Sequence, residues 1–214
     1  PGCPYRLFAL NIAAMKKSGR LKAVFGDIGC NSLIYFMDAM DTGLAMGASD
    51  GKRQGYVISK PEMATKCISI IGDSTECHSG MDATRSGVYR NIPGVKVVLD
   101  NYCTAMTGGQ PSPTTPNNFT GEPTKFNLVK SLKGTGPKVV TVDAYDKKAI
   151  RQVMKDALKA AENNEFVVVV VEGLCVKKVH PSKKESMISI DPDICQRCDN
   201  CQICPGTERT GDRK

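Results

Sequence analysis

The sequence predicts an α/β fold: a doubly wound, mostly parallel sheet of five or six strands, followed by a small cysteine-rich C-terminal tail. Three stretches carry this expectation. Ile70-Ile71-Gly72-Asp73-Ser74 and Val97-Val98-Leu99-Asp100-Asn101 are short aliphatic runs that stop abruptly in Gly, Asp or Asn, the pattern of a buried parallel strand whose carboxyl end opens into a loop. Residues 166–171 are Phe followed by five Val, too short for a helix and apolar throughout, as strands covered on both faces are. Ahead of them, Asp146 heads a segment in which Ala149, Ile150, Val153, Met154, Ala157, Leu158 and Ala161 keep a 3, 4 spacing, the signature of a capped crossover helix.

The remaining elements follow in order. Leu7, Leu10, Ala13, Ala14 and Lys17 give a helix over 7–17, stopped by Ser18-Gly19. Residues 23–25 form a short strand that ends in Gly26-Asp27-Ile28-Gly29-Cys30, where glycine lets backbone approach a ligand closely. After the Asp73 loop, residues 80–90 read as a helix with Met81, Thr84, Val88 and Tyr89 inward, ended by Asn91-Ile92-Pro93-Gly94. A strand over 96–99 precedes a stretch, 111–121, whose three prolines exclude helix and central strand and leave a loop at the ligand end. Residues 139–142 are another strand. Gly134-x-Gly136 is a turn before it and, with Pro137 next and no helix following, not a dinucleotide fingerprint.

At 214 residues the chain holds one main domain, read as 1–175, then a Lys- and Pro-bearing linker over 176–190 and the tail over 191–214. No apolar run approaches the ~20 residues of a membrane span. A net charge of +7 is spread along the chain without an aromatic-interleaved basic stripe, which argues for a solvated surface and against nucleic-acid binding. Six of the ten cysteines are scattered, while Cys195, Cys198, Cys201 and Cys204 fall within ten residues, a ligand set rather than a disulfide framework. A reducing cytoplasm is the expected compartment, and a first residue other than Met suggests part of a longer chain.

Chemistry concentrates at the two strand ends. Asp73 and Asn101, twenty-eight positions apart, offer a carboxylate and an amide oxygen on neighbouring strands. Mg²⁺ takes one or two carboxylates and completes its shell of about six oxygens with phosphate and water. The pair therefore suggests Mg-diphosphate. With Gly72-Asp73-Ser74-Thr75, His78-Ser79-Gly80, Leu99-Asp100-Asn101 and the run from Thr104 through Pro111 (Thr-Ala-Met-Thr-Gly-Gly-Gln-Pro), the chain resembles the thiamine-diphosphate enzymes, and among them the large subunit of indolepyruvate:ferredoxin oxidoreductases.

That resemblance implies a thiamine-diphosphate-binding fold and oxidative decarboxylation of an aryl-2-oxo acid, with coenzyme A and ferredoxin as acceptors. It implies Asp73, Asn101 and the backbone carbonyl of Cys103 as Mg²⁺ ligands. Gly47, Ala48, Ser49, Gly72 and Ser74 would lie along the diphosphate, with a helix N-terminus at 47–49 facing it. Ile28, Gly29, Cys30, Thr104, Ala105, Met106 and Thr107 would complete the cofactor site. His78 is read either as a loop residue or as a polar group over the substrate. Two departures stand out: Tyr5 replaces a family His, and Asp50 replaces an apolar residue, so Asp50 should point to solvent or mark a drifted loop.

The family draws its aminopyrimidine glutamate from a pyrimidine-binding domain absent here and works with a smaller beta-type subunit, so the lone chain is expected to be inactive. Other readings are a non-oxidative thiamine decarboxylase, another 2-oxo-acid:ferredoxin oxidoreductase, or a non-catalytic cofactor-binding subunit. The tail's C-x2-C-x2-C-x2-C-P is one residue short of the bacterial ferredoxin pattern, and a 4Fe–4S cluster is favoured over Zn²⁺.

Overall fold

The computed structural model describes residues 2–178, 191 and 193–195. Helix α1 (Tyr5–Lys17) leads into β1 (Ala23–Gly26), a 3-10 helix (Cys30–Met37) and the two-residue strand β2 (Thr42–Gly43). Next come α2 (Ala48–Ser59), β3 (Cys67–Gly72), the single turn α3 (Asp73–Thr75), a π-helical turn (Glu76–Gly80), α4 (Met81–Tyr89) and β4 (Gly94–Asp100). Helix α5 (Leu128–Thr135), β5 (Lys138–Asp143), α6 (Lys147–Glu162) and β6 (Phe166–Glu172) complete the sheet. The strands pair in the order β2-β1-β3-β4-β6-β5, all parallel. This is the doubly wound α/β architecture that the strand patterns predict. Among the described residues no helix is long and apolar enough to cross a membrane.

Successive side chains of a strand face opposite ways, which splits the core in two. Ile68, Ile70, Val97 and Val169 pack against Phe8 and Ile12 of α1 and Ile150 and Met154 of α6. Ile71, Val98, Val168 and Val170 pack against Met81, Leu128 and Leu132 of α4 and α5, while Cys67 meets Val57 of α2. Fully buried side chains of this size contribute about 1.5–3 kcal/mol each. Asp146 caps α6 by accepting from the Lys148 and Ala149 amides at 3.0 and 2.8 Å.

Four readings need correction. The stretch after β3 is helical rather than a loop, because Asp73 opens α3 and the π turn carries the chain into α4 without a break. Tyr89 is 85% exposed, since α4 buries Met81, Thr84 and Gly87, three residues apart, instead. Helix α5 escaped notice although its signals are present: Asn127 accepts from the Lys130 amide at 2.8 Å, Leu128 and Leu132 face inward, and Gly136 ends it at φ 109°. Asp50, finally, points neither to solvent nor to the ligand end.

Asp50 is fully buried and ion-paired to the equally buried Arg53 at 2.7 Å, with Ser69 and Gln54 donating at 2.8 and 2.7 Å. A second buried pair lies beside it, Lys96–Glu76 at 2.6 Å, and Lys96 also donates to the Gly80 carbonyl and the Thr84 hydroxyl. Lys96 thus interrupts the apolar run of β4 without leaving an unpaired charge, and Glu76, folded back over Gly80, fixes the π turn: a Cβ on Gly80 would sit 2.2 Å from Glu76 Oε2.

Asp50→Asn should lower stability by about 3–5 kcal/mol, because it leaves Arg53 buried without its counter-charge. Burial alone would raise the Asp50 carboxyl, but Arg53 and Lys96 outweigh it and hold it below its ordinary 3.8. A depressed carboxyl contributes stability above the unfolded value and loses it as pH falls through the folded one. Urea unfolding below pH ~4 should therefore show a shallower acid limb in the variant, and an unchanged limb would refute the pairing.

Candidate cofactor-binding site

From β1 the chain crosses to β2 on one side and then to β3 on the other, so the sheet's switch point lies between β1 and β3. Crevices outside the carboxyl ends of strands at such a point bind ligands. A cleft with about 550 Å³ of empty space opens there, lined by Ile28, Gly29 and Cys30 after β1, Gly72, Asp73 and Ser74 after β3, and Asn101, Cys103, Thr104, Ala105, Met106 and Thr107 after β4. Residues up to eighty positions apart in the chain, each assigned to the cofactor by motif, thus meet around one space. Gly29, at φ 142°, adopts a backbone that L side chains rarely take.

The register of β3 against β4 sets the electrostatics. Gly72 pairs with Leu99, so the next residue of each strand, Asp73 and Asp100, emerges beside the other. Both are buried, at 2% and 3% exposure, and their carboxyls lie within hydrogen-bonding reach. Burial raises Asp73, opposed by hydrogen bonds from the Thr114 hydroxyl at 2.5 Å and from the Asp100 carboxyl. Burial and then the neighbouring Asp73 charge push Asp100 up to about 8. Asn101 Oδ1 accepts from the Cys103 amide at 3.2 Å, and Tyr102 between them takes φ 62°.

Asp73, Asn101 and the nearby backbone carbonyls are hard oxygen donors, and two abutting buried carboxyls with no lysine or arginine among the cleft's lining residues suit a divalent cation. Among the described residues no cluster of three or more His, Cys, Asp or Glu side chains could hold a metal ion. A cation would therefore take Asp73 together with amide, backbone and ligand oxygens.

Other expected site residues lie elsewhere. The amides of Gly47, Ala48 and Ser49 all donate to the Asp27 carboxylate, at 2.6, 3.0 and 3.3 Å, and none of the three lines the cleft. The N-terminus of α2 is closed by this internal anion. His78 is exposed on the π turn and is not among the lining residues. Cys198, Cys201 and Cys204 lie outside the described residues; Cys195 is described, and its amide donates to the Asp191 carbonyl at 3.0 Å.

Four residues not assigned to the site also line the cleft: Tyr5, which the sequence marks only as a departure from the family His, Thr75, which it offers only within the Gly72–Thr75 motif, Asn31 and Met46. Tyr5 donates its hydroxyl to the Leu99 carbonyl at 3.0 Å, so the aromatic replacement is anchored to β4. Asn31 donates to the Asp27 carbonyl at 2.9 Å. Tyr5 opens α1, Asn31 lies in the 3-10 helix after β1, Met46 precedes α2 and Thr75 closes α3, so it is the fold that brings them to one space. Asp100 stands in the sequence beside Asn101 at the strand end, but its pairing with Asp73 comes from the β3–β4 register, and the sequence offers Thr114 only as part of the proline-rich loop.

The family described as thiamine pyrophosphate enzyme, C-terminal TPP binding domain, matches residues 27–171, and the chain belongs to it. Within that class it is similar to the indolepyruvate oxidoreductase subunit IorA of Thermococcus kodakarensis, 34% identical over 221 residues that cover 95% of this chain and 33% of that protein. The IorA subunit of Pyrococcus abyssi is 31% identical over 224 residues, again 95% of this chain and 33% of the relative. The chain spans about a third of the length of these relatives. The fold is also that of a 2-oxoglutarate:ferredoxin oxidoreductase from Magnetococcus marinus, with a TM-score of 0.68 at 23% identity over 82% of this chain and 63% of that one.

A carboxyl whose pKa rises on folding contributes stability below its unfolded value and loses it as pH climbs through the folded one. The ligand-free protein should accordingly lose stability as pH rises toward about 8, and Asp100→Asn, which keeps a donor toward Asp73, should remove that part of the loss. Melting curves between about pH 5 and pH 9 measure it; parallel curves for the two proteins would refute the carboxyl pairing.

Proposed function

We propose that this chain is the diphosphate-binding domain of a thiamine-diphosphate-dependent 2-oxo-acid:ferredoxin oxidoreductase that acts on aryl-2-oxo acids of the indolepyruvate type. The observation that carries this reading is the convergence of Asp73, Asn101 and the 104–107 run in one cleft at the sheet's switch point. The IorA likeness supports the aryl substrate.

In this reading Asp73, Asn101 and the Cys103 carbonyl hold Mg²⁺, and Ser74 with Thr104 and Thr107 lies along the diphosphate. The α2 N-terminus, closed by Asp27, acts by fixing the Ile28-Gly29-Cys30 wall rather than by binding phosphate. Ile28, Met46 and Met106, each partly exposed at the rim, exclude water from the ring end once a second domain closes over them. When bound, thiamine diphosphate supplies the carbanion and the electron sink for decarboxylation, while the protein orients it. A pyrimidine-binding domain, a smaller beta-type subunit, coenzyme A and ferredoxin would complete the system, and Cys195, Cys198, Cys201 and Cys204 would hold a 4Fe–4S cluster, which would supply one-electron transfer toward ferredoxin.

In the complete complex, Asp73→Ala should weaken Mg-dependent binding of thiamine diphosphate by about a hundredfold or more, since even supporting residues of metal sites cost tenfold to a hundredfold when lost. It should abolish viologen-dye reduction by indolepyruvate and coenzyme A. Unchanged calorimetric affinity would remove Asp73 from the ion.

Anaerobically reconstituted protein should contain iron and acid-labile sulfide, diminished in Cys198→Ser. Stoichiometric zinc without iron would reassign the tail.

A further inference from the structure

We propose that Thr114 and Thr115 are positioning residues that clamp the two strand ends of the cation site at a fixed separation; the proposal rests on the reading of Asp73 and Asn101 as ion ligands. Ser112-Pro113-Thr114-Thr115 is a β-turn, closed by the Thr115 amide donating to the Ser112 carbonyl at 3.0 Å, with proline in the second position where its fixed φ favours the turn. Pro116 then restricts Thr115 to extended backbone. The turn is rigid by composition, and its two threonines point to different strands.

Thr114, 9% exposed, donates to Asp73 Oδ2 at 2.5 Å across forty-one residues of chain. Its single hydroxyl proton is thereby committed, so the Ser112 hydroxyl at 2.9 Å donates to it. The result is a relay of hydroxyls that ends on the carboxylate and polarises toward it. Thr115 Oγ1 donates to the Tyr102 carbonyl at 3.0 Å and accepts from the Ser112 amide at 2.8 Å. Tyr102 is the residue at φ 62°, a backbone state that persists for a non-glycine residue only when its surroundings hold it. It lies between Asn101 and Cys103, whose oxygens face the ion in the proposed site. One turn from outside both strands therefore orients the β3 carboxylate through Thr114 and the β4 donor turn through Thr115.

The test uses the complete complex and titrates Mg²⁺ at a fixed, sub-saturating concentration of thiamine diphosphate, reading cofactor binding by calorimetry. Thr114→Val should raise the Mg²⁺ concentration needed by about tenfold, the weight of one hydrogen bond to a charged group. Thr114→Ser should restore the wild-type titration, and Thr115→Val should shift it in the same direction as Thr114→Val. Melting of the cofactor-free complex is measured alongside. A Thr114→Val titration that overlays wild type overturns the clamp. So does a shift that Thr114→Ser fails to rescue, or one matched by loss of cofactor-free stability in Thr114→Ala, because either marks a structural loop contact only. Wild-type binding that ignores Mg²⁺ would instead overturn the functional reading beneath it.

Discussion

The register of β3 against β4 is the constraint on which the site depends. With Gly72 opposite Leu99, two consecutive parallel strands must end in adjacent carboxyls, and everything around them answers to that juxtaposition. Two carboxyls buried to 2% and 3% exposure cannot both ionise cheaply in a medium that screens poorly. The chain responds with a hydroxyl from Thr114 onto Asp73 and a backbone amide from Tyr102 onto Asp100 at 3.0 Å, while burial and the Asp73 charge push the Asp100 carboxyl up to about 8. A one-residue slip would send Asp100 to the other face of β4 and dismantle the arrangement.

Behind the cleft, on the α2 and α4 face of the same two strands, charge is handled differently. Asp50, Arg53, Glu76 and Lys96 form two buried ion pairs of zero net charge, each fixed by further hydrogen bonds. Such pairs add little net stability but penalise any rearrangement that separates them. Glu76 is three residues past Asp73, so the Lys96 pair ties down the turn that carries the Asp73 carboxyl. The π-helical widening at 76–80 goes with that tie: it lets the Glu76 carboxylate reach back over Gly80, where a Cβ would meet it at 2.2 Å and force the ion-paired side chain to shift.

Much of this was legible in the sequence, and the reasons it was not legible elsewhere are physical. The β-branched runs gave strands β3, β4 and β6 and hence the parallel fold, because full burial on both faces leaves an unbroken apolar signature. The spacing of Asp73 and Asn101 was readable because strand register converts it into proximity. Residues 73–79 read as a loop because Gly-Asp-Ser looks like a turn until a buried lysine on another strand makes the helical continuation favourable. Asp50 was misjudged for the same kind of reason: an isolated acidic residue carries no mark of its buried partner, although Arg53 three residues on was a hint. Thr114 and Tyr5 reach the site through contacts spanning forty-one and ninety-four positions, which no local pattern encodes.

The closure of α2 by Asp27 changes how an anion would be held. A free helix N-terminus offers amides and a partial positive charge to a phosphate, yet here that charge is spent on an internal carboxylate, buried enough that its own pKa rises despite three amide donors. With no lysine or arginine lining the cleft, nothing permanent in its wall balances a diphosphate. Strand-end amides and hydroxyls supply hydrogen bonds but no net charge, and Asp73 adds a negative one. On the proposed reading a cation would therefore have to carry the neutralisation: it would be attracted by Asp73 on its own, whereas a diphosphate without it would meet a negative wall with no fixed positive charge, so diphosphate binding would depend on the ion.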